Sequence, residues 1–133
     1  MSLENKQIIS KLRLEKAEEC LTDAKLLLER ESYRSAANRS YYAVFHAMRA
    51  VLALDGYDSQ KHSGIISEFR RLYIKTGIFE SSMSACIRDL FDLRTESDYN
   101  DFFVASKADI SEQVNHAEYF VAQIKKYLDN RSV

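Results

Sequence analysis

The sequence lacks proline and tryptophan altogether and contains only three glycines and two cysteines among its 133 residues. Without proline, and with so little glycine, few positions can break a helix. Cys20 and Cys86 fall on helical apolar stripes and have neither CxxC nor His/Cys spacing, so we predict reduced core thiols, not a disulfide or a metal site. The low content of proline, glycine and cysteine therefore favours an all-helical chain without disulfide bonds or structural metal ions.

Long apolar runs and a strong charge imbalance are also missing. No segment approaches the roughly 18 apolar residues that a membrane helix needs, and the first residues, which include Glu4 and Lys6, do not read as a signal peptide. We therefore expect a cytoplasmic protein without a membrane segment. The formal net charge of −1 argues against indiscriminate nucleic-acid binding, although it leaves room for a local basic patch.

Apolar residues recur at helical spacing along most of the chain, and alternating strand patterns are absent. The repeats predict helices over residues 4–31, 32–54, from Ser63 to a stop at 75–77, from Ser81 or Ser82 to 98, and 106–129. Serines at the predicted starts and Gly77 after the third helix are typical caps. We predict one domain, 1–133, folded as an antiparallel up-and-down bundle of four main helices and one short helix.

The predicted second helix has an unusual polar face. That face carries Arg39, Tyr42, His46 and Arg49, with Asn38 at its edge, while the other faces are apolar or made of small residues. One interpretation is that carboxylates from the first or fifth helix satisfy these groups. The other is that the face lines a cleft or a dimer interface. A metal site is not expected, because His46 has no second ligand at suitable spacing.

Arg94 occupies a position where the helical pattern calls for an apolar residue. At about 100° per residue, it projects within roughly 20° of Met83, on the stripe that also holds Cys86, Ile87 and Leu90. A guanidinium placed there is costly unless a carboxylate, a polar cleft or a bound anion receives it. The sequence therefore marks Arg94 as a candidate site, with Asp98 one turn later.

Four segments in this order resemble the HEPN domain family, in its small stand-alone, UPF0332-like branch. They are residues 35–50 (SAANRSYYAVFHAMRA), 61–64 (KHSG), 75–77 (KTG) and 93–99 (LRTESDY). The resemblance implies a helical bundle that is usually dimeric and is associated with RNA cleavage or nucleotide binding. It also implies a minimal nucleotidyltransferase as the partner in a toxin–antitoxin pair.

For catalysis, the resemblance implies an arginine on the penultimate long helix followed by a histidine, with two copies meeting at a dimer cleft. Arg94 matches the arginine, but Asp98, Tyr99 and Asn100 stand where the histidine is expected. A carboxylate is a poor proton donor at neutral pH, whereas a phenol can donate but is a poor base. His46 is the better substitute, because His62 follows a loop beside Lys61 and His116 lies on the last helix.

Three functions remain open at this point. In a metal-independent ribonuclease, the catalytic candidates are Arg94, Asp98, Tyr99 and His46. In a module that binds RNA or a nucleotide, Asn38, Arg39, Tyr42 and Arg49 would hold the ligand. In a structural subunit, the ion pair of Arg94 and Asp98 would fix a dimer. No cofactor is predicted, and Phe102 with Phe103 is expected to cap the end of the bundle or to stack on a base or partner.

Overall fold

The computed structural model describes residues 1–131, so the last two residues of the predicted domain lie outside the described part. Five helices follow one another with short connections, and residues 1–131 contain no strand. They are α1 (Leu3–Glu29), α2 (Tyr33–Leu54), α3 (His62–Phe69), α4 (Ser82–Tyr99) and α5 (Lys107–Arg131). The predicted antiparallel bundle of four long helices and one short helix is confirmed.

The second helix is the centre of the bundle. It contacts α1, α3, α4 and α5, and most of its residues between Ala36 and Ala53 are buried. Small residues on one of its faces, such as Ala43 and Ala47, are fully buried and allow close helix approach. The core contains large side chains from the surrounding helices, including Leu90, Phe120 and Ile124, none of which is exposed.

Two predicted details of the helix starts differ from the structure. The predicted cap at Ser63 is wrong, because α3 begins at His62 and the backbone N–H of Gly64 already bonds the carbonyl of Lys61 at 3.1 Å. Ser81 occupies the N-cap position of α4 as predicted, but its side chain makes no capping hydrogen bond. Ser106 does cap α5, accepting a hydrogen bond from the N–H of Asp109 at 3.1 Å.

A π-helical turn, Arg70–Ile74, continues α3. The N–H of Lys75 bonds the carbonyl of Arg70 at 2.9 Å, five residues back along the chain. Gly77 follows with φ of 80°, which is the left-handed conformation that a side chain disfavours. The chain therefore turns sharply here before it enters α4.

Arg34, in the first turn of α2, holds the connection between α4 and α5. Its guanidinium donates hydrogen bonds to the backbone carbonyls of Ser97 at 3.0 Å, Asn100 at 3.2 Å and Asp101 at 3.3 Å, and to that of Phe103. Phe102 is nevertheless 94% exposed, so the expectation that it caps the bundle is wrong. The anchored loop displays this ring instead of burying it.

At the C-terminal end of α2, four side chains form a polar cluster, which we name the Arg131 cluster (Asp55, Tyr73, Tyr127 and Arg131). Arg131 donates to Asp55 at 3.1 Å, to the Tyr73 hydroxyl at 2.9 Å and to the Tyr127 hydroxyl at 3.3 Å. Tyr73 in turn donates to the other carboxylate oxygen of Asp55.

No helix within residues 1–131 combines the length and apolar character required to cross a bilayer.

Candidate functional site

Arg94 lies between α4 and α2 with its side chain only 15% exposed. Its guanidinium carbon is 5.5 Å from the ring centre of Tyr41, 5.4 Å from that of Tyr42 and 5.6 Å from that of Tyr99. Aromatic faces attract a cation through the ring quadrupole, and a guanidinium is more weakly hydrated than an ammonium group, so this attraction offsets part of the cost of burying it. The arginine is therefore tolerated on the inner side of α4 because three tyrosines surround it.

The polar contacts of Arg94 fix the orientation of its guanidinium but leave part of it unused. Nη2 donates a hydrogen bond to the Tyr42 hydroxyl at 3.0 Å. Nε lies 3.1 Å from Oδ2 of Asp98, yet this buried N–H makes no hydrogen bond, so the contact is an ion pair without good alignment. Nη1 has no hydrogen-bond partner within residues 1–131. We name Arg94, Asp98, Tyr41, Tyr42 and Tyr99 the Arg94 cluster.

Asp98 connects this cluster to the polar face of α2. Its Oδ2 accepts a hydrogen bond from Asn38 at 2.9 Å, and the Asn38 oxygen accepts two from Arg39, at 3.0 and 2.7 Å. The Arg39 guanidinium lies 5.2 Å from the ring centre of Tyr42. Tyr42 is thus in contact with two guanidinium groups, one from its own helix and one from α4.

His62 adjoins the Arg94 cluster, a position that the sequence interpretation did not give it. Its Nδ1 is hydrogen-bonded to the Tyr41 hydroxyl at 2.8 Å, and its ring stacks on Phe45 with the centres 4.2 Å apart. Burial and the charges of Arg94 and Arg49 lower the pKa of His62, so its imidazole is neutral at pH 7. The KHSG segment was the available signal, because it belongs to the resemblance and contains a histidine.

His46 lies on α2, one turn after Tyr42, and is buried, with only 7% of its surface exposed. Burial, followed by the charges of Lys16, Arg49, Arg39 and Arg13, lowers its pKa to about 4. Its Nδ1 is buried without a hydrogen-bond partner. At neutral pH this histidine is uncharged and cannot act as a proton donor.

The four cations around His46 form a basic face (Arg13, Lys16, Arg39 and Arg49) across α1 and α2. Arg13 and Arg49 both bind Asp58, at 3.1 and 3.2 Å. Asp58 belongs to the connection after α2, so the interpretation that carboxylates from the first or fifth helix satisfy Arg49 is wrong. A single carboxylate serves two arginines, which leaves positive charge on this face.

The structure brings most of the candidate residues together. Arg94, Asp98 and Tyr99 from α4 meet Asn38, Arg39 and Tyr42 from α2. Arg49 lies further along α2 in the basic face, and His46 lies among the cations of that face. Within residues 1–131, no group of three or more His, Cys, Asp or Glu side chains could hold a metal ion. The arrangement offers guanidinium donors, stacking surfaces and a neutral imidazole, which are groups suited to a phosphate ester.

The structure is a helical bundle in which a tyrosine-lined arginine lies between α2 and α4, the second and third of its four long helices. Residues 10–127 match the sequence model of the HEPN domain. The chain belongs to the HEPN domain family. This confirms the resemblance found in the sequence.

Relatives cover nearly the whole chain. A "UPF0332 protein" of Thermotoga maritima is 35% identical over 115 residues, which are 86% of this chain and 87% of the relative. "Putative toxin MJ0605" of Methanocaldococcus jannaschii is 34% identical over 129 residues, which are 96% of each chain. The crystal structure of ST0689, an archaeal HEPN homologue, has a TM-score of 0.70 at 19% identity and covers 90% of this chain and 97% of its own, which shows the shared fold.

Proposed function

We propose that this protein binds RNA through a backbone phosphate at the Arg94 cluster, as the RNA-associated component of a toxin–antitoxin or nucleotidyltransferase-partnered system. The observation that carries the proposal is the state of Arg94. Three tyrosines and the Tyr42 hydroxyl hold the guanidinium in one orientation, while Nη1 has no protein partner within residues 1–131. A preorganised guanidinium loses little entropy when it binds phosphate.

The surroundings of Arg94 support an RNA strand as the ligand. The basic face continues from Arg39 along α2, and it supplies cations that attract further phosphates in a chain whose net charge is −1. Tyr99 is 72% exposed beside Arg94, so its ring is available to stack on an unpaired base. These features favour single-stranded RNA over duplex.

The test compares two arginines with similar partners. We expect Arg94→Lys to weaken binding of a fluorescently labelled single-stranded RNA by about a hundredfold, because lysine cannot keep the stacked, forked donor geometry. The midpoint of thermal unfolding should change little. Arg131→Lys, at the distant Arg131 cluster, is the matched control and should leave RNA affinity unchanged.

Two results would contradict RNA binding at this cluster. If Arg94→Lys lost stability and RNA affinity to the same extent, the role of Arg94 would be structural, as in a subunit whose Arg94–Asp98 ion pair stabilises a dimer. If Arg131→Lys weakened RNA binding as much as Arg94→Lys, the effect would not come from the Arg94 cluster.

A second candidate function is metal-independent RNA cleavage, and the position of His62 favours it. His62 and Arg94 lie against the same two rings, those of Tyr41 and Tyr42. In such a reaction the neutral imidazole takes the proton of the 2′-hydroxyl as its oxygen attacks phosphorus. Arg94 stabilises the phosphorane, and the departing 5′-oxygen receives a proton from Tyr99 or water, leaving a cyclic phosphate.

Cleavage is tested with purified protein in EDTA. Products ending in 2′,3′-cyclic phosphate that disappear in His62→Asn and persist in His116→Asn would establish this candidate. If RNA stayed intact while the wild-type protein bound it, the binding function would stand alone. If cleavage persisted in His62→Asn but disappeared in His46→Asn, His46 would take the role of base.

We also propose that the protein works as a homodimer beside a nucleotidyltransferase partner. The α4–α5 loop supports an interface, because Phe102 and Val104 are 94% and 84% exposed on a segment that Arg34 anchors. Light scattering after size exclusion should give twice the chain mass, and Phe102→Asp should shift it towards the monomer. A monomeric wild-type protein, or no nucleotidyltransferase gene beside this one, would count against the assignment.

A further inference from the structure

Asp58 lies against the basic face although it belongs to the connection between α2 and α3. Its Oδ2 accepts a hydrogen bond from Arg13 at 3.1 Å, and Arg49 donates to both carboxylate oxygens at 3.2 Å. The backbone N–H of Ser59 donates to Oδ1 at 2.9 Å. A pair of anionic oxygens is therefore already bound by the two guanidinium groups, which we call the Arg13–Arg49 pair.

The Arg13–Arg49 pair is also held by contacts that do not involve Asp58. Nη1 of Arg13 donates to the backbone carbonyl of Arg49 at 3.3 Å, which ties this side chain of α1 to α2. The guanidinium carbon of Arg49 lies 5.9 Å from the ring centre of Phe45. Because these contacts remain when the carboxylate leaves, both arginines stay oriented, and the entropy cost of binding another anion is low.

One carboxylate does not fully compensate this pair. Burial, followed by the charge of Arg49, lowers the pKa of Arg13, even though Asp58 acts in the opposite direction. The N–H of Arg49 Nε is buried and has no hydrogen-bond partner. A phosphate has more acceptor oxygens than a carboxylate and forms bidentate contacts with guanidinium groups. The Arg13–Arg49 pair is therefore better matched to a phosphate than to the aspartate that it holds.

Asp58 is the member of this arrangement that can move away. Its side chain is 50% exposed, whereas those of Arg13 and Arg49 are only 18% and 24% exposed. An ion pair with a half-exposed carboxylate is weak, because water solvates the carboxylate well once it is released. The residue lies on the connection 55–61, between the end of α2 and the start of α3. It can therefore turn towards solvent without unwinding either helix.

Two aromatic rings connect the Arg13–Arg49 pair to the Arg94 cluster. The ring of Phe45, which Arg49 contacts, stacks on that of His62 with the centres 4.2 Å apart. His62 is hydrogen-bonded to the Tyr41 hydroxyl of the Arg94 cluster at 2.8 Å. A strand that is bound at the cluster therefore brings its neighbouring phosphates to the Arg13–Arg49 pair at a high effective concentration.

We infer that the Arg13–Arg49 pair binds a second backbone phosphate of the RNA, and that Asp58 occupies this position until the strand displaces it. The inference rests on the proposed function, because RNA is taken as the ligand that reaches the basic face. It adds a phosphate position outside the Arg94 cluster and an aspartate that competes with the ligand for that position. Asp58 consequently lowers the RNA affinity of the wild-type protein.

Fluorescence anisotropy of a labelled single-stranded RNA with the full chain tests this competition. We expect Asp58→Asn to tighten RNA binding by about fivefold, because asparagine can still accept from Ser59 but no longer neutralises the arginines. Asp89→Asn is the matched control. Asp89 pairs with Arg88 at 3.4 Å and is 45% exposed, so this variant removes the same charge from another ion pair. It should change RNA affinity by less than about twofold.

Arg13→Gln, made in two backgrounds, locates the competition. It should weaken RNA binding by about tenfold in Asp58→Asn but only by about threefold in the wild-type protein, where the loss of a phosphate contact is partly offset by the loss of a contact to Asp58. Unequal factors measure the coupling of the two residues during binding. A merely structural role of Arg13 would give the same factor in both backgrounds.

The outcomes separate this competition from the proposed function. If Asp58→Asn left RNA affinity unchanged, or if Asp89→Asn raised it as much, the inference would be overturned while RNA binding at the Arg94 cluster stood. Equal factors for Arg13→Gln in the two backgrounds would also overturn it. If Arg94→Lys kept full affinity while Asp58→Asn still raised it, the second phosphate position would stand and the Arg94 proposal would fall. Absence of RNA binding in both the wild-type protein and Asp58→Asn would overturn both proposals.

Discussion

The Arg94 cluster and the Arg131 cluster have almost the same chemical composition. Each contains an arginine, an aspartate 3.1 Å away and a tyrosine hydroxyl that accepts from the guanidinium, at 3.0 and 2.9 Å respectively. In each, the guanidinium also lies over a tyrosine ring. A list of residue types would not distinguish them.

The difference lies in how completely the polar groups are paired. In the Arg131 cluster the hydrogen bonds form a closed ring, since Arg131 donates to Asp55 and Tyr73, and Tyr73 donates back to Asp55. In the Arg94 cluster the N–H of Nε is not aligned with Asp98. Incomplete pairing of the polar groups, more than the presence of a buried arginine, marks a position that can accept a ligand.

The largest expected effect comes from removing the carboxylate at each cluster. Asp55→Ala should lower the free energy of unfolding by about 2–3 kcal/mol, because Arg131 and Tyr73 both lose a hydrogen bond. Asp98→Ala should lower it by about half as much and should tighten RNA binding several-fold by freeing Arg94. Urea unfolding and RNA titration measure both quantities. Equal stability losses without a gain in affinity would remove the distinction between the clusters.

A second expected effect is a loss of stability at acidic pH, caused by His46 near the Arg94 cluster. Its pKa is about 4 in the folded protein and about 6.5 in the unfolded chain, so the unfolded state binds more protons between these values. Stability should therefore fall by about 2 kcal/mol between pH 7.5 and pH 5. His62, whose pKa is also lowered, contributes in the same direction.

His46→Gln provides the control for this pH dependence. Most of the loss between pH 7.5 and pH 5 should disappear in the variant, as measured by the urea midpoint at each pH. An unchanged pH dependence would mean that His46 is solvated enough to be protonated in the folded state.

A smaller effect should follow from deleting single hydroxyl groups in the two clusters. Tyr42→Phe keeps the ring but removes the acceptor that orients Arg94, so RNA affinity should fall by about fivefold, or about 1 kcal/mol. Tyr127→Phe removes another hydroxyl that accepts from Arg131 and should leave RNA affinity unchanged. Fluorescence anisotropy measures both variants. An equal effect of the two substitutions would contradict the assignment of Tyr42 to the ligand site.

The smallest expected effect concerns salt dependence. Lys16→Gln on the basic face should weaken RNA binding only a few-fold, and it should reduce the slope of log affinity against log salt concentration by about 0.7, because one phosphate contact is lost. Lys126→Gln on α5 should leave the slope unchanged. An unaltered slope in Lys16→Gln would place the strand away from the basic face.

The helices were predictable because the spacing of apolar residues that indicates a helix is a local feature of the sequence. Buried positions such as Leu90, Ile110 and Ile124 recur at the period of an α-helix, and this spacing alone indicates five helices and their approximate ends. The predicted start of α3 was wrong. Ser63 has a residue type that favours a helix cap, but the carbonyl of Lys61 accepts the hydrogen bond from the N–H of Gly64 in the first turn. Propensity identifies candidate caps but does not choose between neighbouring residues.

The site was predictable only in part. Arg94 could be singled out because a charge interrupts an apolar stripe, and Asp98 follows from the spacing of one turn. Tyr41 lies at the helical spacing of the apolar residues of α2, and it is fully buried. Its hydroxyl nevertheless reaches His62 across 21 residues, a contact that depends on how α3 packs and that no local pattern encodes.

The contacts of the Arg94 cluster also determine when in the life of the chain a binding site can exist. Arg94 meets Tyr42 across 52 residues, Asp98 meets Asn38 across 60, and Arg34 reaches the end of α4 across 63 or more. Such distant contacts form after local helices, because closing a long loop costs entropy before any contact repays it. A ribosome-bound chain that has emerged only as far as α3 already carries the residues of the basic face but has no Arg94 cluster, so a ligand site at this cluster can form only after α4 has been synthesised.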